Sequence, residues 1–192
     1  MSADSLVERA AQGELPAWAE ATEPRRAHMA RAAALMGEWS EDLGLPEADR
    51  VRWAAAAWLH DALRDADPES LRSRVPPALS GLPGPLLHGP AVAERLRVDG
   101  VRDGELLLAV AYHTLGHPGW GRLGQGLYAA DFLEPGRDLL NDWRETLRAR
   151  MPEDLTDVVR ELLAARIVHL VERDSPMRPE TVAFWNSLAR EE

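Results

Sequence analysis

Leu-Thr-Asp-Val-Val-Arg-Glu-Leu-Leu-Ala-Ala-Arg-Ile-Val-His-Leu (155–170) sets Leu155, Val158, Val159, Leu162, Leu163, Ile167 and Leu170 at intervals of three and four. That spacing draws one apolar stripe along an α-helix and conflicts with the two-residue alternation of a half-buried strand. The same intervals recur along most of the 192 residues, and no stretch sustains two-residue alternation. The expectation is an all-α fold, a helical bundle in one domain, since a chain of this length builds one real core more readily than two.

Working outward from this helix, placed at 153–173, amphipathic helices are expected at 138–150 and 178–190. Towards the amino terminus, Thr22, Glu23 and Pro24 read as the cap and first turn of a helix carrying His28, Ala32, Leu35, Met36 and Trp39 and ending near Gly44. A second helix is expected over 46–64, and shorter ones over 90–96, 103–114 and 121–134. Gly116, Pro118 and Gly119 separate the last two. Residues 75–90 hold five of the fourteen prolines and three glycines, which makes a shaped apolar loop and not a long helix or a flexible linker.

The formal charge of −10 comes from 32 acidic and 22 basic residues, so the molecule as a whole repels a nucleic acid polymer. A local group of arginines can still hold a small phosphorylated ligand. Every basic residue is Arg and none is Lys, which removes lysine as an acid, a base or a Schiff-base former. With no cysteine, disulfides, thiolate metal sites and thiol nucleophiles are excluded. The amino terminus lacks the basic start and apolar run of a signal peptide, and no segment has the apolar length of a membrane span, so a cytoplasmic protein is expected.

Chemistry must then come from side chains such as His60 and Asp61, adjacent in Ala-Trp-Leu-His-Asp-Ala-Leu-Arg (57–64). Alone, the pair reads equally well as a helix end with Asp61 bridged to Arg64. The wider set changes the reading: His28, His88, His113 and Asp131 all fall at helix ends or within helix walls, where bundles build metal sites. Asp131 lies between Ala130 and Phe132 in an apolar helix, where a buried carboxylate without a partner is costly. Imidazoles and carboxylates in this number suffice for two divalent ions with one carboxylate bridging. Two such ions, roughly 3.5–4 Å apart, generate hydroxide from water near neutral pH and clamp a phosphoryl group. The residue types suggest hydrolysis of a phosphate ester or phosphoanhydride.

The order His, His-Asp, His, His, Asp resembles the HD-domain metal-dependent phosphohydrolases. Leu-His-Asp-Ala-Leu-Arg-Asp (59–65), Leu-Leu-His-Gly-Pro-Ala-Val-Ala (86–93), Ala-Tyr-His-Thr-Leu-Gly (111–116) and Tyr-Ala-Ala-Asp-Phe-Leu-Glu-Pro-Gly-Arg (128–137) resemble its YqeK branch. The resemblance implies an HD-type bundle and symmetrical hydrolysis of diadenosine tetraphosphate to two ADP by a metal-bound hydroxide at a dinuclear centre. It implies iron first, with manganese, cobalt or zinc as alternatives. It further implies that His28, His60, Asp61 and Asp131 ligate one metal, that His88 and His113 ligate the other, and that Asp61 bridges. Arg64 stands where the branch usually has lysine. Arginine keeps the charge and offers a bidentate fork but does not readily donate a proton, so a phosphate clamp is expected there. Arg137 is expected as a second phosphate contact, with Glu134 orienting it or a ligand histidine.

His117, between Gly116 and Pro118, reads as a substrate-side residue or as simply exposed. Trp120, beside the His-Thr-Leu-Gly segment, is the tryptophan placed to stack on an adenine, with a core position as the alternative. His169 reads as structural or solvent-facing. The expected organisation is a helical extension over 1–22, an HD domain over 23–173 and a helix over 174–192 packed on the same domain. Two rivals share these residues: a hydrolase of another nucleotide or phosphomonoester, selected by the 75–90 loop and His117, and a non-catalytic nucleotide-binding module. The 155–171 stripe can serve a homodimer, though packing on its own core is the default.

Overall fold

Ten α-helices and two single 3-10 turns form the described residues, 3–136 and 141–189 of a computed structural model, and no strand occurs among them. The helices are α1 (Ala3–Ala11), α2 (Glu23–Asp42), α3 (Glu47–Leu59), α4 (Pro68–Arg72), α5 (His88–Val98), α6 (Gly104–Tyr112), α7 (Arg122–Leu133), α8 (Asn141–Arg148), α9 (Leu155–Glu172) and α10 (Pro179–Leu188). No described helix is long and apolar enough to cross a membrane.

Helix α7 is the hub, packed against α2, α3, α6, α8 and α9. Its Leu123, Leu127, Tyr128, Ala129, Ala130 and Leu133 are buried. Gly126 lets the neighbours close in: a Cβ there would lie 2.9 Å from the Trp53 ring of α3. The opening stripe behaves as its spacing requires, with Leu155, Val158, Val159, Leu162 and Leu163 buried against α7 and the far turns, Val168 to His169, exposed. Two apolar clusters result, one among α2, α3, α7 and α9 and one among α1, α3, α5 and α6. Helix α3 contributes to both, so its carboxyl end emerges where the two clusters meet.

Helix α3 stops at Leu59, five residues before the expected end. Beyond it the chain continues in tighter i to i−3 turns, Ala62 N to Leu59 O and Arg64 N to Asp61 O, both 3.0 Å. A helical spacing of apolar residues is compatible with either geometry, which is why the sequence does not separate them. Helix α5 begins at His88 and so contains Pro90 in its first turn, where a missing N–H removes no intrahelical bond. Thr22 is not a side-chain cap: its N and Oγ1 both donate to Asp65 Oδ2, at 2.9 and 2.7 Å. Gly44 follows α2 at φ +61°, the left-handed conformation a helix end recruits glycine for. The proline loop is shaped as expected, with 3-10 turns at Pro77–Leu79 and Gly84–Leu86 and the Arg72 guanidinium donating to Ser80 O and Leu82 O.

Candidate metal centre

Five elements deliver the six expected ligands to one place. His28 comes from α2, His60 and Asp61 from the end of α3, His88 from the first residue of α5, His113 from the residue after α6, and Asp131 from the last turn of α7. The four imidazoles and Asp61 are buried, while the Asp131 side chain keeps 25% exposure. Asp131 was expected to be buried in an apolar helix; it is partly exposed instead, the most accessible of the six candidate ligands.

The two oxygens of Asp61 are divided. Oδ2 lies 3.7 Å from His28 Nε2 and 3.6 Å from His60 Nε2. Oδ1 lies 3.1 Å from His88 Nε2 and 3.5 Å from His113 Nε2. Asp131 Oδ1 joins the first set, 3.1 Å from His28 Nε2 and 4.0 Å from His60 Nε2. Two groups with metal-binding spacing follow, His28 with His60 and Asp131, and His60 with Asp61 and His113.

Each imidazole has an acceptor opposite its outer nitrogen. Nδ1 of His60 faces Ala57 O at 2.7 Å, that of His88 faces Pro85 O at 3.0 Å, and that of His113 faces Val110 O at 2.8 Å. Nδ1 of His28 faces Glu134 Oε1 at 3.1 Å. A proton held at each Nδ1 leaves the inner Nε2 atoms as acceptors, of which only that of His113 has a hydroxyl nearby, Thr114 Oγ1 at 3.1 Å, yet these sit 3.3 Å apart for His28 and His60 and 3.1 Å apart for His88 and His113. Two facing lone pairs repel, and a cation bound by both turns the repulsion into ligation. The donor set fits divalent metal.

Burial drives the His60 pKa down to about 4, against the pull of Asp61. Burial likewise lowers His88, helped by the charge of Arg64. For Asp61 burial opposes ionisation, but His60, His113 and His88 outweigh it and hold the carboxyl well below its usual range. His113 departs from this pattern, since Asp61 and Asp131 outweigh its burial and raise its pKa. A carboxylate and neutral imidazoles are the forms that ligate. Glu134 is buried at the edge of the cluster, where burial is outweighed by Arg31, His28 and the Gly136 N–H, which donates to Oε2 at 2.7 Å, and its pKa is lowered.

Among the other expected residues, Arg64 is half-buried one turn beyond Asp61 and forms no ion pair among the described residues, while its charge is felt at His88. His117 folds onto its own loop, accepting from the Gly119 N–H at 3.0 Å and packing its ring, tilted by 49°, against Tyr112. Trp120 is a core residue: it is 7% exposed, packs edge-to-face on Phe184 and donates to Leu108 O, which leaves no free face for a base. Arg137 lies outside the described residues. Asp61 pairs with Arg25 and not with Arg64, Nη1 to Oδ2 at 2.7 Å. Arg25 was not anticipated, although its place three residues before His28 on the same helix face was a usable signal.

A family model described as HD domain matches residues 25–172, well over half of the chain. The chain belongs to the HD domain family. Its relatives include proteins named "Bis(5'-nucleosyl)-tetraphosphatase, symmetrical": that of Halalkalibacterium halodurans is 29% identical over 76% of this chain and 80% of its own length. The Bacillus subtilis protein of the same name is 29% identical over 73% of this chain and 78% of its own. Among solved structures, a predicted HD superfamily hydrolase involved in NAD metabolism from Clostridium acetobutylicum superposes with TM-score 0.75 at 21% identity, covering 98% of this chain and 97% of that one. At that identity it shows a shared HD fold. The HD domain match begins at Arg25 and ends at the last residue of α9, so it spans all six candidate ligands.

Proposed function

We propose that this protein is a metal-dependent phosphohydrolase that cleaves diadenosine tetraphosphate symmetrically into two ADP. The observation that carries the reading is the division of the Asp61 carboxylate between two histidine pairs, the arrangement a bridging ligand of two cations requires. The substrate rests on the relatives named for that reaction.

In this reading His28, His60, Asp61 and Asp131 would hold one divalent ion, and His88, His113 and Asp61 would hold the other. Nitrogen and oxygen donors without thiolate suit iron first, with manganese, cobalt or zinc as alternatives. Such ions supply a water acidified towards neutral pH and positive charge for phosphoryl oxygens. The chain's own groups do the positioning. Glu134 and the carbonyls of Ala57, Pro85 and Val110 fix the four rings with Nε2 inward, so little reorganisation is needed during reaction. Arg64 contributes a permanent charge and a planar fork to a phosphate, and no proton. Arg137 takes the second phosphate contact on its motif position. The molecule's negative charge favours a small nucleotide over a polymer.

Asp61→Ala tests the reading. The variant loses bound metal and hydrolysis of diadenosine tetraphosphate together; hydrolysis at the normal rate contradicts it. A panel of other nucleotides and phosphomonoesters assayed beside the wild type fixes the substrate class.

A further inference from the structure

Arg25 stands in the first turn of α2 with its guanidinium against the bridging carboxylate, Nη1 2.7 Å from Asp61 Oδ2. That oxygen belongs to the His28–His60 side of the centre. The Arg25 side chain keeps 27% exposure, so it is one of the partly solvent-accessible groups in contact with the cluster, as Asp131 is. Its Nε has no hydrogen-bond partner and lies 3.7 Å from Asp65 Oδ1. Asp65 is itself engaged through Oδ2 by the N–H and hydroxyl of Thr22. The Arg25 Nε is buried; among the described residues the terminal nitrogens of Arg25 spend one N–H, on Asp61, and their remaining donors have no acceptor.

A guanidinium is a poor accessory for metal binding alone. Placed on a ligand carboxylate, it competes with a cation for the same oxygen, and a neutral donor would orient Asp61 without that penalty. The charge acquires a use if an anion arrives with the metals. With divalent ions held at Asp61, the terminal N–H donors of Arg25 would be available to a phosphate.

We infer that Arg25 binds a non-reacting phosphoryl group of the polyphosphate chain on the His28–His60 side, and thereby helps set which phosphorus lies over the centre. The inference rests on the phosphohydrolase reading and names a residue that reading does not need. Arg64, whose charge is felt at His88, is the arginine that reading already assigns to phosphate.

Arg25→Ala and Arg25→Lys, both loaded with iron, are compared with the wild type for metal content and for equilibrium binding of ADP and of inorganic phosphate. Expected for Arg25→Ala are unchanged metal content, ADP binding weaker by about tenfold or more, inorganic phosphate binding within about twofold, and partial recovery in Arg25→Lys. With diadenosine tetraphosphate, ATP and AMP appear beside ADP as the register loosens. Loss of metal, or equal weakening of ADP and phosphate, shows a structural role at Asp61 and overturns the inference, as does unchanged ADP binding. If Arg25→Ala does not fold, Arg25→Gln replaces it with the same outcomes. Wild-type protein that binds ADP through Arg25 but turns over no nucleotide would sink the hydrolase reading, and with it the role of Arg25 in register, while the phosphoryl contact of Arg25 would stand.

Discussion

Glu134 Oε1 lies 3.1 Å from His28 Nδ1, so one imidazole of the four is backed by a carboxylate while the other three are backed by backbone carbonyls. An ionised acceptor raises the basicity of the ligating nitrogen and fixes its ring more firmly than a carbonyl does. Glu134→Gln keeps the shape and removes the charge. It is expected to weaken metal binding by about 10- to 100-fold with little change in the fold. Metal titration of the purified variant checks this, and unchanged affinity would show that Glu134 serves Arg31 and the Gly136 N–H and not the metal.

Gly89 holds α5 against α6. A Cβ at this position would lie 2.8 Å from Val110 O and 2.9 Å from Ala111 O, backbone atoms that cannot swing aside. Gly89→Ala must push the amino end of α5 outward, carrying His88 away from His113. The cost is about 1–3 kcal/mol, read from denaturant unfolding, together with loss of metal at the His88–His113 pair. A variant of full stability and full metal content would refute this account of the helix contact.

Trp120→Ala is expected to behave as a core truncation, losing about 3–5 kcal/mol, because the ring is packed against Phe184 and Tyr128. The milder Trp120→Phe should leave nucleotide binding unaltered. A selective loss of ADP affinity in Trp120→Phe, with stability retained, would restore the stacking role that its sequence neighbourhood suggested.

The metal-free protein should lose stability as pH falls from about 6.5 towards 4. His60 has its folded pKa lowered to about 4 by burial, whereas the unfolded chain takes up the proton near 6.5. The unfolded state therefore binds more protons inside that window, and stability rises with pH across it. The full effect is on the order of 3 kcal/mol for this one group. His88, lowered by burial, adds in the same direction. His113, whose pKa is raised by Asp61 and Asp131 against the effect of burial, works at higher pH and in the opposite sense. Urea unfolding of chelator-treated protein at a series of pH values measures the slope; a flat profile between pH 4 and 6.5 would contradict a buried neutral His60.

Much of this was legible in the sequence because helix periodicity and ligand chemistry are both local signals. The stripe from Leu155 to Leu163 and the positions of His28, His60, Asp61, His88, His113 and Asp131 could all be read from spacing and motif context. The early end of α3 could not, because a run of i to i−3 turns keeps the apolar spacing of a helix. Nor could the exposure of Asp131, which depends on where the neighbouring helices leave an opening. The pairing of Arg25 with Asp61 joins residues 36 apart in sequence, and only the approach of α2 to the end of α3 makes it. Trp120 was ambiguous for a similar reason: its neighbours in sequence are loop residues, whereas its contacts, Tyr128 and Phe184, come from α7 and α10.

The central claim is that the two histidine pairs joined by Asp61 form a dinuclear hydrolytic site. Its most direct test is metal analysis of freshly purified protein combined with chromatographic analysis of the products from diadenosine tetraphosphate. The account predicts two divalent ions per chain and ADP as the single product; metal-free protein with full activity, or AMP and ATP as the products, would contradict it.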